Sequence, residues 1–412
     1  MNSRLAEESA NYTFSFRYED EGVILEGVFD AWSIAPNGSG EILQFYTPIK
    51  SGSATLKAAK RTYKLDGAVP LVQMQLAFID GANAGQQKSL VFNCLTVGSK
   101  AGDGTAGAVT VIDPDTSGKA GIDALARDLI VPALSKCFVD NRDKLAFVFA
   151  DIALTPTENA NWMVLRSLAY CYQQDVQDEL GNFGVLGMFD SVDVSAYSKT
   201  FDSSLLRPGD DFGFILSGAQ LMAHVILPGL PAGFRGSSPG EFQMNGARIV
   251  NRGQIHLESV QVGDIWYPPH INNLDMHIEN NYISTYLDGR CPITGLADAY
   301  VEFSMSEKEV AGFNLEVEAL SFYPVDQNVT HSSYIPWWEK LLGALFTFGL
   351  MNAIIEAVSL AIENAVGSLV SGTGLDAANL GAFQVDWQTG SRFTLTDGGL
   401  QDNFYCRGKQ QD

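Results

Sequence analysis

Two glycine-rich runs have the spacing of chemical motifs. Gly102-Asp103-Gly104-Thr105-Ala106-Gly107 fits G-x-G-x-x-G, in which glycines let a backbone approach a pyrophosphate at the start of a helix. Here Val109-Thr110-Val111-Ile112 follows, a β-branched run that predicts a strand, so the segment reads as a hairpin loop. Gly236-Ser237-Ser238-Pro239-Gly240 fits G-x-S-x-G, the turn that presents a serine nucleophile. The N–H after the nucleophile should hold the oxyanion, but that position is Pro239, which has none. A Gly/Ser/Pro loop is the better reading, and hydrolysis by Ser238 is the third-ranked function.

The remaining reactive side chains are scattered. His224, His256, His270, His277 and His331 form no H-E-x-x-H or i, i+4 pair, and no cofactor or metal is expected. Asp113 and Asp115 flank a proline and Asp210 and Asp211 precede an expected helix, which suits turns and caps. Lys57, Lys60, Arg61 and Lys64 place four cations within eight residues, a patch suited to a lipid phosphate or an acidic partner surface. A solvated hairpin explains the same run and is preferred. Trp337 and Trp338 suit either a core plug, the preferred reading, or a bilayer interface. With Leu342 and Phe346 of the apolar segment that follows, these residues are the candidate lipid or partner contacts.

That segment, 336 to 370, dominates the second half. Between Lys340 and Glu356 lie 15 uncharged residues, apolar on nearly every face, as in an enclosed helix. Asn352, Glu356, Ser359 and Glu363 then recur at spacings of four, three and four, one polar stripe that can face water. The uncharged run is short of the ~20 residues that cross a bilayer and contains Gly343, Gly349 and Asn352. A helix surrounded by sheet is expected.

The rest of the chain supplies that sheet. Residues 11 to 113 read as a strand meander, with Val72, Met74, Leu76 and Phe78 alternating with Gln73, Gln75 and Ala77. A helix follows, with Ile122, Leu125, Ala126, Leu129, Ile130, Ala133, Leu134, Cys137 and Phe138 on one stripe and Pro132 within it. Strands return at 145–154 and 162–172. A looser stretch ends near Arg207, where a domain boundary is placed: 1–206 and 207–412. Asp210 or Asp211 should cap a helix with the face Phe214, Gly218, Leu221, Met222 and Val225, stopped by Pro228-Gly229. Strands follow at 255–262, 274–279, 300–305 and 313–323, then the long helix, then a hairpin of 383–387 with 392–395. Each half thus reads as a strand meander, an amphipathic helix and a short pair of strands, an α+β chain of two similar modules.

Composition limits the partners. Of 412 residues, 46% are hydrophobic, enough for sizeable cores. Acids outnumber bases 48 to 26, a net charge of −22 that repels nucleic acid. Met1 to Ala10 has no apolar core of a signal peptide, so synthesis in the cytosol is expected, with release to the extracellular space left open. The five cysteines are far apart and read as buried thiols.

The runs Thr47-Pro48-Ile49-Lys50-Ser51-Gly52, Tyr63-Lys64-Leu65-Asp66-Gly67, Gly107-Ala108-Val109-Thr110-Val111-Ile112-Asp113-Pro114-Asp115 and Ala169-Tyr170-Cys171-Tyr172-Gln173 resemble the OrfX and forty-seven-kilodalton accessory proteins of clostridial neurotoxin gene clusters. The resemblance runs along the whole chain and is strongest before about residue 175. It implies the tubular lipid-binding (TULIP) fold, two modules in each of which a curled antiparallel sheet wraps a long helix. It also implies lipid or phosphoinositide binding, association with sister proteins of the same cluster, a supporting role in toxicity, sometimes towards insects, and no enzyme activity. It places Asn2 to Ala10 within an N-terminal helix. A non-enzymatic toxin accessory protein is therefore the expected function; a lipid carrier or membrane-surface lipid-binding protein independent of a toxin is the alternative.

Overall fold

The computed structural model describes residues 14–81, 85–145, 148–154, 162, 164–174, 181–189, 192–197, 199–200, 203–314, 319–334, 352–358, 360, 362, 385–386 and 392–411. They form a mixed α and β protein in which sheets predominate. Two compact units divide the chain. The first takes Met1–Thr155, Met163–Ser203 and Phe383–Gly390, the second Pro156–Trp162, Ser204–Ala382 and Ser391–Asp412. The main exchange lies at 203/204, three residues before the boundary set from sequence, and two short segments belong to the opposite unit from their neighbours.

In the first unit, β1 (Ser15–Glu19), β2 (Val23–Phe29), β5 (Ile49–Leu56) and β6 (Arg61–Lys64) form one antiparallel sheet in the order β1-β2-β5-β6. A larger sheet contains β3 (Ser33–Gly40), β4 (Ile42–Tyr46), β7 (Leu71–Asp80) and β8 (Gln87–Asn93), with β9 (Thr96–Val97) and β10 (Ala108–Asp113). After the helix come β11 (Val148–Ala153), β12 (Ser167–Gln174) and β13 (Gly181–Met188), which complete that sheet on the path β13-β12-β3-β4-β7-β8-β11. Trp162 lies in a turn, outside the strand expected there; pairing with β13 begins only at Ser167.

The helix α1 (Ala124–Asp140) starts because Asp123 accepts the N–H of Ala126 at 2.9 Å. It ends where the N–H of Asn141 reaches the Cys137 carbonyl at 3.1 Å. Ala126, Ile130, Ala133, Leu134, Cys137 and Phe138 join one apolar cluster with residues of both sheets. The Phe138 ring stacks on Phe29 at 5.2 Å and meets Trp32 edge-on at 5.6 Å. The stripe is narrower than the expected one, because Leu125 is 72% and Leu129 42% exposed. One helix face spans only part of the turn, and nine positions exceed what a single core can cover.

The second unit opens with β14 (Phe212–Leu216) rather than with a helix, because Phe212 to Leu216 pair antiparallel with residues 404–408. Asp210 therefore caps nothing; it accepts from Thr396 Oγ1 at 3.0 Å and faces Arg407. The helical run begins at Gly218 behind Ser217, whose hydroxyl accepts the N–H of Gln220 at 3.3 Å. It passes through a π-turn, Met222–Ile226, and continues as Leu227–Gly233. Pro228 does not stop it, since the N–H of Leu227 already bonds back to Met222 in the wider π-turn and Pro228 sits in the first turn of the next piece.

A seven-stranded sheet carries most of this unit: β15 (Phe242–Asn245), β16 (Arg248–Asn251), β17 (Ile255–His256), β20 (His270–Glu279), β21 (Tyr282–Pro292), β22 (Tyr300–Asn314) and β23 (Ala319–Tyr334). The single strand expected over 255–262 is two, because β18 (Val260–Val262) instead forms a separate hairpin with β19 (Ile265–Tyr267). The last strands also differ from expectation. β24 (Val385–Asp386) pairs with β11 of the first unit, and the closing hairpin joins β25 (Arg392–Gln401) to β26 (Asn403–Gln411).

Of the segment 336–370, residues 352–358, 360 and 362 are described, as helix. Ile354, Val358 and Ile362 are buried at spacings of four, while Asn352 and Glu356 of the expected polar stripe are exposed and Ser359 and Glu363 lie outside the described residues. Leu360 is 50% exposed, so the described stretch is not enclosed on every face.

Candidate functional site

The cationic run Lys57 to Lys64 is the hairpin that joins β5 to β6. Thr55 and Thr62 face each other across it, hydroxyl to hydroxyl at 2.9 Å, and Lys60 turns the chain in a left-handed conformation at φ 46°. Strand alternation then separates the cations. Tyr63 points inward and is buried; Arg61 lies on the same face with its guanidinium 4.5 Å from the Tyr63 ring centre.

Two of the four charges are neutralised by residues distant in sequence. Lys57 Nζ lies 2.8 Å from Glu19 Oε1, and Arg61 Nη1 lies 2.7 Å from Asp123 Oδ2. Asp123 also accepts the Tyr63 hydroxyl at 2.7 Å, so one carboxylate caps α1 and anchors the hairpin. The N–H of Ala126, then Tyr63, then Arg61 hold its carboxyl below the ordinary aspartate range. Hydrogen bonds from Lys57 and then Arg17 lower the Glu19 carboxyl in the same way. Lys60 and Lys64 are exposed and, among the described residues, make no ion pair. The hairpin thus offers two available cations and two committed ones. Trp337, Trp338, Leu342 and Phe346 lie outside the described residues.

The strand face beside this hairpin carries a groove of about 460 Å³. Gly27 and Gly52, opposite each other on β2 and β5, form its floor; Arg17, Glu26 and Lys144 line it. A Cβ on Gly27 would stand 2.6 Å from the Ser51 carbonyl oxygen, so the floor requires glycine. Lys144 donates to the Ser15 carbonyl at 2.8 Å, and Arg17 binds Glu19 at 3.2 Å.

The glycine loop 102–107 has the N–H groups of Gly102 and Gly107 engaged. Gly102 N–H donates to Gln73 Oε1 at 2.8 Å and Gly107 N–H to Gln75 Oε1 at 3.0 Å. A phosphate would need those groups, and β10, a strand, follows. This loop also explains why Gln73 and Gln75 are buried among the apolar residues of β7. At the second motif, Pro239–Glu241 is a single 3-10 turn followed by β15. Glu241 accepts the Ser238 N–H at 2.8 Å through Oε2 and lies 2.6 Å from His256 Nδ1 through Oε1. It ties turn and strand together through the backbone of Ser238.

His277 rests on Asp275 at 2.7 Å, which also meets Arg248. His224 stacks on Trp162 with ring centres 4.7 Å apart and planes at 2°, and burial lowers its pKa. Among the described residues no group of three or more His, Cys, Asp or Glu is arranged for a metal, and no helix is long and apolar enough to cross a membrane.

Sequence reasoning missed Tyr63, Asp123 and Glu19 as members of the site. Asp123 carried a signal, since an aspartate just before the helical run of Leu125, Ala126, Leu129 and Ile130 is an N-cap signature. Nothing local linked it to a hairpin 60 residues earlier.

Comparison with known proteins places this architecture. The OrfX-like family profile, described as Protein OrfX2/OrfX3/P47, matches residues 10–384. Protein P47 of Clostridium botulinum (strain Kyoto / Type A2) is 24% identical over 388 residues, 92% of this chain and 89% of that protein. The solved structure of P47 from Clostridium botulinum A2 superposes with a TM-score of 0.75 at 20% identity, covering 99% of this chain and 94% of that one. P47 of Clostridium botulinum E1 gives 0.77 at 18% identity, covering 100% and 96%.

Proposed function

Since the chain belongs to the OrfX-like family, we propose that it is a non-enzymatic accessory component of a bacterial toxin system, working through contacts with sister proteins and with lipid. The observation that carries this reading is the extent of the family match, which spans residues 10–384 and so includes parts of both units. A fragmentary match would support a shared module only; this one supports a shared role.

We read each unit as a TULIP-type module. In the first, supporting evidence is the enclosure of Ile130, Leu134 and Phe138 of α1 among residues of two sheets. In the second it is the buried row Ile354, Val358 and Ile362. For lipid, the available charges are Lys60 and Lys64, in a protein whose net charge of −22 opposes general adsorption to anionic bilayers. Contact with lipid is therefore local, one or two headgroups at the hairpin tip.

Native mass spectrometry of the purified protein before and after delipidation, with vesicle flotation, tests this. Retained lipid, or binding to phosphoinositide-containing vesicles that Lys60→Glu with Lys64→Glu abolishes, supports the lipid half. An empty protein that floats with no vesicle removes it and leaves the protein contacts.

A further inference from the structure

The solvent side of α1 carries a row of exposed apolar residues. Leu125 and Leu129, spaced i, i+4, form an apolar ridge that Pro132 continues one turn on. Opposite it, Val97 is 36% exposed on β9. Between Leu129 with Pro132 and Val97 runs a groove of about 480 Å³, lined also by the buried Val23 and Ala133, and Leu125 extends the ridge beyond it. Two exposed leucines at this spacing are what a second helix packs against, ridge into groove.

The mouth of the groove is acidic. Its rim is the β1–β2 turn Asp20-Glu21-Gly22; Glu19, just before it, is outside the lining and is neutralised by Lys57 and Arg17. Asp20 accepts the N–H groups of Gly22 and Val23 at 2.7 and 2.8 Å and the Tyr18 hydroxyl at 3.0 Å, which fixes the carboxylate in place. Glu21 is exposed beside it, and Asp128 is exposed on α1 next to Leu129. The lining contains one cation, Lys136, and it is held by Asp140 at 3.0 Å.

We propose that this groove docks a basic amphipathic helix of a partner protein, its apolar row on Leu125 and Leu129 and its lysines or arginines against the acidic turn. Charge selects this occupant. A second copy would bring the same acidic turn and a further net charge of −22, and an anionic bilayer would be repelled by the same rim. The inference rests on the reading of the chain as a partner-binding component and gives that reading a location and a chemistry.

The test uses the full chain and a fluorescent synthetic helix of about 18 residues, five turns, with leucines at i, i+3, i+4 and i+7 and lysines elsewhere. Controls are a scrambled peptide of the same composition and a leucine/glutamate version. Anisotropy at about 0.15 M salt should show binding of the leucine/lysine helix alone, weakened about tenfold by Leu129→Glu or Leu125→Glu. Glu21→Lys should weaken it severalfold and flatten its salt dependence. Amide exchange should slow in α1 and in the β1–β2 turn. Both leucines are exposed, so an unchanged melting curve verifies the fold of each variant.

Equal binding of the scrambled peptide, or binding indifferent to Leu129→Glu, overturns the proposal. So does self-association, or attachment to zwitterionic vesicles, that Leu125→Glu removes. Co-purification of a sister protein that Leu129→Glu leaves intact overturns the groove while sparing the accessory role.

Discussion

The Tyr63 hydroxyl and the Asp123 carboxylate meet at 2.7 Å, and that contact ties the edge strand of the small sheet to the first turn of α1. Arg61 donates to the same oxygen atom at the same distance. The cationic hairpin is therefore partly neutralised by a residue whose first task is to start a helix.

This separates two effects of one side chain. Asp123→Asn keeps a good capping residue and deletes the charge, so the unfolding midpoint should stay near wild type while Arg61 is released. Binding to phosphoinositide vesicles should then rise by about fivefold, the effect of one more cation near the surface. Asp123→Ala should lower the midpoint as well. Unchanged vesicle binding in both variants would remove Arg61 from the lipid surface.

A buried ion cluster in the second unit predicts a larger loss. Arg407 is almost fully buried, 3.7 Å from Asp210, paired with Asp397 and donating to the Leu205 carbonyl at 2.9 Å. Arg407→Met leaves Asp210 buried without its cation and should cost roughly 3 kcal/mol in urea unfolding. Adding Asp210→Asn should recover part of it. A loss below about 1 kcal/mol would mean that the cluster relaxes into water.

Acid should weaken the loop 99–107 only below about pH 3.8. Asp103 accepts the Ser99 N–H at 2.7 Å, the Ser99 hydroxyl at 2.9 Å and the Thr105 N–H at 3.0 Å, and the Ser99 N–H is the main cause that holds its carboxyl far below the ordinary 3.8. A folded-state value below the unfolded one stabilises the loop fully above pH 3.8, and that contribution is lost as pH falls towards the folded value. Carboxyl-carbon NMR should find Asp103 still ionised at about pH 3, where a free aspartate is mostly protonated, while amide protection of the loop declines. Titration at the ordinary value would contradict the geometry.

The thiols should be silent in the folded protein. All five cysteines are buried, and burial pushes Cys94, Cys137, Cys291 and Cys406 up to about 12, with Cys171 raised as well. At about pH 8 a disulfide reagent should label none rapidly, and all five after unfolding. A fast-reacting thiol in the native state would identify a segment that opens locally.

The regular strands were legible because their patterns are local. Leu274 and Met276 of β20 alternate with less buried neighbours as a half-buried strand must, and Val72, Met74 and Leu76 of β7 alternate in type with Gln73 and Gln75, which the loop 102–107 buries too. Phe212 to Leu216 was read as helix because its partners, residues 404–408, are nearly two hundred positions away and leave no mark on the local pattern. Shorter separations, 38 and 62 residues, hid the site in the same way. Sequence gathers Lys57, Lys60, Arg61 and Lys64 into one patch, and Glu19 and Asp123 divide it from afar. Leu125 and Leu129 carry the opposite lesson, since periodicity counts apolar positions but does not say how wide a face the core can cover.

The pairing of β24 with β11 sets a timetable for synthesis. Asp386 lies opposite Asp151, so the outer side of β11 waits for more than two hundred further residues before its partner leaves the ribosome. At ordinary elongation rates that is about 10 to 50 s with an unpaired strand edge on a nascent chain. A gene cut between the units at 203/204 would make that interval permanent, leaving the first product with an open edge that invites pairing between chains.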